Sequence, residues 1–221
     1  MIRSFFVLIL TVFVLGTTGA RAQDDPDGLN VRASRLIDST MAELNLRAQR
    51  FNEELAKINA IKPLDVTSLG KDVIPKNREK VKDFLGYLEV YRALSRQQKQ
   101  EVEDSVSLLK SRMPSRHRDA FLKDFFDAYN LDQGSFDKYI IALTKVFTNM
   151  DSALAFIETS KVEIKDNKLQ FNNKDEYETY SALIAAVEKS NKKLINASAA
   201  SQKATIDASA MMQKAYGEIK K

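Results

Sequence analysis

The sequence predicts an all-α fold: an elongated antiparallel bundle of about four long helical arms, the third arm broken, with a small β-hairpin before the last helix. Gly and Pro are scarce, at 7 and 4 of 221 residues, while Ala, Leu, Lys, Glu and Gln are plentiful, which is a helical composition. Apolar residues recur in alternating steps of three and four over long stretches, the spacing that collects them on one side of a helix. Only residues 162–171 switch to a period of two.

The first helix follows Gly28, with Ile37, Met41, Leu44, Ala48, Phe51, Leu55 and Ile58 in phase, and Pro63 stops it. The connection over residues 63–75 is unusually apolar, with Leu64, Val66, Leu69, Val73 and Ile74. Its first expectation is a plug over the end of the bundle, and its sharper alternative is a contact surface. The second helix is expected over residues 76–113. Its stripe of Val81, Phe84, Leu88, Tyr91, Val102 and Leu109 is interrupted by Ser95, Gln98 and Ser105, which makes its middle a weaker seam.

Pro114 ends that helix and Ser115 can cap the next. Phe121, Phe125 and Tyr129 share a face there, residues 130–135 with Gly134 read as a break, and a further helix runs through Phe136, Tyr139, Ile140, Leu143, Phe147, Met150, Leu154 and Ile157. Around Asp166-Asn167 a two-residue turn sets Ile164 opposite Leu169 and Lys165 opposite Lys168. Asn173 followed three residues later by Glu176 reads as a capping box for the last helix. That helix is well anchored by Tyr177, Tyr180, Ile184, Val187 and Leu194. Over residues 196–210 its stripe turns to Ala, Ser and Thr205, with Ile206 the one large apolar residue, before Met211 and Met212 resume it.

The N-terminus reads as an address. Arg3, the apolar run over residues 5–15 and the closing Ala20-Arg21-Ala22 form the charged, apolar and small-x-small regions of a secretory signal peptide. Cleavage is expected after Ala22, leaving a disordered acidic leader over residues 23–28 and one bundle domain over 29–221 in the periplasm or outside a bacterial cell. Arg3 and Arg21 leave with the signal, so the remainder is only weakly basic, too little to suggest nucleic acid.

The residue inventory removes much chemistry. With no Cys there is neither a disulfide nor a thiolate. His117 is the single histidine, so neither a HExxH zinc site nor the paired Glu-x-x-His motifs of a di-iron bundle can be written. His117 stays a weak candidate haem ligand, set against its place between Arg116 and Arg118, which suits a solvated side chain. Gly70-Lys71-Asp72 lacks the earlier Gly and the Ser/Thr of a phosphate loop, and the acids around Gly134 miss calcium-loop spacing. Glu53/Glu54, Glu101/Glu103/Asp104 and Asp124/Asp127 read as solvated helix faces.

The expectation is an exported, non-enzymatic bundle without cofactor or metal, acting through protein or envelope contacts, with self-association or a protein partner. Its interaction candidates are Leu64, Val66, Leu69, Val73 and Ile74 in the connection, and Lys203, Ile206, Met211, Met212 and Lys214 in the last helix. Lys189, Lys192, Lys193, Lys203 and Lys214 together could also face a membrane surface. A ligand-binding bundle, holding haem b or a small apolar molecule among the aromatic residues 121–139, is the alternative; a hydrolase built on carboxylates alone is a third reading.

Overall fold

The computed structural model describes residues 28–60, 62–65, 70, 72–112, 115–166 and 168–219. The signal and most of the leader, like Val66, Leu69 and Asn167, lie outside them. The described residues form four long helices packed together, α1 (Leu29–Ala60), α2 (Val73–Arg112), α3 (Ser115–Thr159) and α4 (Lys174–Ile219), with the hairpin β1 (Glu163–Lys165) and β2 (Lys168–Gln170) before α4. The all-α bundle and its hairpin are as the sequence predicts.

Gly28 takes a φ of 63° at the entrance to α1, a left-handed conformation that glycine adopts without strain, and its carbonyl accepts from the Arg32 N–H at 3.0 Å. Helix α1 ends at Ala60, ahead of left-handed Lys62 and the buried Pro63. Helix α2 starts at Val73 rather than after Pro75. Proline is tolerated in a first turn because the N–H groups there have no intrahelical acceptor to lose.

The expected break at residues 130–135 is absent: α3 runs unbroken for 45 residues. A glycine inside a helix costs about 1 kcal/mol, and the residues around Gly134 have tertiary partners that outweigh it. Asp132 accepts from the Thr205 hydroxyl at 2.7 Å, Gln133 accepts from Ser95 at 3.0 Å, and the Phe136 ring meets Phe51 edge-on at 5.6 Å. Ala120–Thr159 is long and apolar enough to cross a membrane by length and composition alone. Many of its large side chains, including Phe121, Phe125, Leu143, Phe147 and Leu154, are buried among the other helices.

The helices pass through two compact units. Among the described residues, the first holds 52–92 and 138–198. In it Phe84 of α2 packs on Phe147 of α3 at 4.7 Å, and Arg78 bridges to Asp151 and Glu158 of α3 at 2.9 and 2.6 Å. The hairpin has the expected register, Ile164 opposite Leu169 and Lys165 opposite Lys168. Asp166 has the positive φ, 50°, that such a tight turn requires. Phe171 seats the hairpin's end on Tyr177 and Tyr180 of α4, at 5.7 and 5.3 Å. The cap forms as well: the Glu176 N–H donates to Asn173 Oδ1 at 2.8 Å. The Glu176 carboxylate accepts from the Asn172 N–H at 3.0 Å, one residue before the usual position.

The second unit holds 28–51, 93–137 and 199–219 of the described residues. Its core cluster joins Ile37, Val102, Leu109, Phe121, Phe125 and Tyr129 to Ala208, Met212 and Ala215. The Ala/Ser-rich half of α4 is therefore packed, with Ser201, Ala204, Ala208, Ser209 and Ala215 all buried. Small side chains let α4 approach closely where larger ones would hold it off.

Candidate functional site

Where the α2 stripe is interrupted, the second unit contains a polar layer to which every helix contributes. From α2, buried Gln98 donates its Nε2 to Glu43 Oε2 of α1 at 2.7 Å, and Ser95 donates to Gln133 of α3 at 3.0 Å. From α1, Arg47 donates to the Leu94 carbonyl at 3.1 Å. From α4, the Thr205 hydroxyl lies 2.7 Å from Asp132 Oδ1 and 3.0 Å from the Ser201 carbonyl, so its one proton is shared between two acceptors. Ser105, the third polar interruption, instead donates back to the Glu101 carbonyl of its own helix.

Two buried atoms in this layer have no hydrogen-bond partner among the described residues: Gln98 Oε1 and Tyr129 Oη. Gln98 is 1% exposed and Tyr129 fully buried, so neither atom is open to bulk solvent. Burial pushes the Tyr129 phenol up to about 12; Arg47 opposes the rise, and Glu103, Asp132 and Glu43 add to it. Burial likewise raises the Asp132 carboxyl, against the hydrogen bonds from Thr205 and Gln133 that favour its charged form. A phenol so weakly acidic stays protonated near neutrality, and the Thr205 hydroxyl divides its proton between a carboxylate and a carbonyl. What the layer does well is fix helix register, because a one-step slide of any helix separates several of these pairs at once.

The sequence-derived candidates fall in several places. Leu64 and Ile74 are buried and Val73 is half-buried, while Val66 and Leu69 lie outside the described residues. His117 lies in the first turns of α3, and its side chain is outside the described residues. Met212 is buried and Met211 packs beside the same core cluster. Lys214 pairs with Asp124 at 2.6 Å, while Lys203 and Ile206 are exposed. The aromatic residues proposed to enclose a ligand are buried on one another and their neighbours, Phe121 stacked on Phe125 at 5.8 Å.

Most of the acidic groups have local partners. Glu54 pairs with Lys57, Glu101 accepts from Gln97, Asp104 from Gln100, and Glu103 lies near Lys99. Among the described residues no three metal-binding side chains converge. Asp132, Gln133, Tyr129 and Glu43 were not legible as a group, because their sequence signal was a presumed turn at Gly134 and ordinary stripe positions. The interruption at Ser95 and Gln98, set beside the Ala/Ser-rich half of α4, was the available clue. No protein-family model, curated protein or solved structure matches this chain.

Proposed function

We propose that this chain is an exported helical-bundle protein that acts by contact with other macromolecules of the cell envelope rather than by catalysis. The observation that carries the reading is the set of large apolar side chains left outside at the level of the polar layer. Where Arg47 reaches the Leu94 carbonyl, Leu46 of α1 and Leu94 of α2 are 48% exposed each. At the level of the Asp132–Thr205 bond, Leu131 of α3 and Ile206 of α4 are likewise left outside, 40% and 64% exposed. Single exposed apolar residues are ordinary, but several at one level of the helices offer a partner more than one foothold. The absence of Cys and the single His in the sequence support a non-catalytic role, and the signal-like N-terminus supports export.

The test is lysine-directed crosslinking in intact cells, with peptide mass spectrometry and N-terminal sequencing of the recovered protein. The expected result is a mature chain beginning at Gln23, crosslinked to an envelope protein or to itself. A cytoplasmic chain retaining residues 1–22 would overturn the export, and exported protein recovered free of crosslinks would overturn the contact role. A Soret band in native material would favour the ligand-binding alternative instead.

A further inference from the structure

Within the second unit, the outer face of α4 around Ile206 has a charge pattern complementary to itself. Ile206, at 64%, is the most exposed large hydrophobic side chain among the described residues. Lys203 and Asp207 flank Ile206 on the same side of α4, and both are exposed. They stand four residues apart with the base first, the weaker order for an ion pair along one helix. They form no ion pair with each other or with any described residue. Farther along the ridge, Ala199 and Ala210 are exposed and short, so a second helix can come close.

We propose that this face joins two copies of the chain about a two-fold axis beside Ile206, with the α4 helices antiparallel and Lys203 of each copy against Asp207 of the other. The proposal deepens the contact reading above by naming the partner. In an antiparallel pair, positions whose numbers share one sum lie opposite each other. A register that sets 203 against 207 therefore makes the ion pair twice and puts position 205 on the axis, with the two Ile206 residues one step to either side of it, about 3 Å apart along the helices. A second copy fits better than an anionic membrane surface, because the centre of the ridge carries one base and one acid, whereas such a surface recruits a basic face. The ridge from Ala199 to Gln213 is about 21 Å long at 1.5 Å per residue, so the interface is small and the expected dimer is weak and reversible.

Sedimentation velocity on the purified chain tests this, raising the concentration to roughly 0.5 mM to reach weak association. The expected result is a monomer–dimer equilibrium that Ile206→Glu abolishes without changing the far-UV circular dichroism, since Ile206 is largely solvent-exposed. Lys203→Glu and Asp207→Lys each weaken the dimer about tenfold or more, because each sets like charges together twice. The double exchange Lys203→Glu/Asp207→Lys restores it, and mixing the two single variants yields a heterodimer. A chain that stays monomeric overturns the proposal, as does a dimer indifferent to Ile206→Glu or a double exchange that fails to rescue. Binding of the monomer to anionic vesicles, lost in Ile206→Glu, overturns it in favour of a membrane. These failures leave envelope crosslinking able to find a different partner, so the broader contact reading stands or falls separately.

Discussion

Gln98→Leu is expected to leave the protein as stable as before or more stable, although it deletes a buried hydrogen bond. Among the described residues the Gln98 side chain makes one bond, Nε2 to Glu43 at 2.7 Å, and its Oε1 is buried without a partner. A hydrogen bond to a charged group contributes about 1.5–3 kcal/mol, and an orphaned buried acceptor costs about 1–3 kcal/mol. The two nearly cancel. Leucine removes both and brings an apolar side chain of similar volume, with a shape mismatch of less than about 1.5 kcal/mol. Glu43 is exposed and regains water when its partner goes. The net expectation runs from no change to roughly 2 kcal/mol of added stability. Gln98→Ala, which leaves a void instead, should lose about 2–4 kcal/mol. Urea unfolding followed by far-UV circular dichroism, with the slope m unchanged between variants, measures both. Glu43→Ala supplies the coupling: it destabilises the wild-type background by leaving the whole Gln98 amide unpaired, and should be silent within about 0.5 kcal/mol beside Gln98→Leu. A loss above about 1 kcal/mol in Gln98→Leu would refute the reasoning, since it would mean that Oε1 is satisfied in the native protein.

Three other outcomes follow from named contacts. Asp132→Asn should stabilise the protein most near neutral pH, with the advantage vanishing near pH ~4, where the unfolded carboxyl titrates. The sign follows from burial raising the folded Asp132 pKa: the folded state binds the proton more readily, so the carboxyl's contribution improves as pH falls toward the unfolded value and is lost as pH rises through the folded one. Urea midpoints at neutral and acidic pH measure it, and a pH-independent difference would count against a buried carboxyl. Arg78→Met, which keeps the stem but removes the bridge to Asp151 and Glu158, should lose about 1 kcal/mol at low salt and less at high salt. Asn173→Ala should lose about 1 kcal/mol through the cap of α4, visible as faster amide exchange at Glu176, whose N–H loses its acceptor.

How much of this was readable in the sequence depends on whether the determining interaction was local. The hairpin register and the α4 cap were legible because turn length and the Asn173–Glu176 spacing involve residues a few positions apart, so chain geometry alone decides them. The break at Gly134 was misread for the opposite reason. Local propensity weighs a glycine at about 1 kcal/mol, but the partners that overrule it, Ser95, Thr205 and Phe51, sit 38, 73 and 85 positions from Gln133, Asp132 and Phe136. The candidate site lies on the same side of that divide. Ser95 and Gln98 showed that the α2 stripe was interrupted, yet nothing local indicated whether the interruption was a weak seam or a paired one. The Ala/Ser stretch of α4 posed the same question in mirror image. The two answer each other in space, for close approach of α4 is what lets Thr205 reach Asp132 while Ile206, its neighbour, is turned out to solvent. The residue that ties α4 into the polar layer thus sets which side chain the helix offers to a partner.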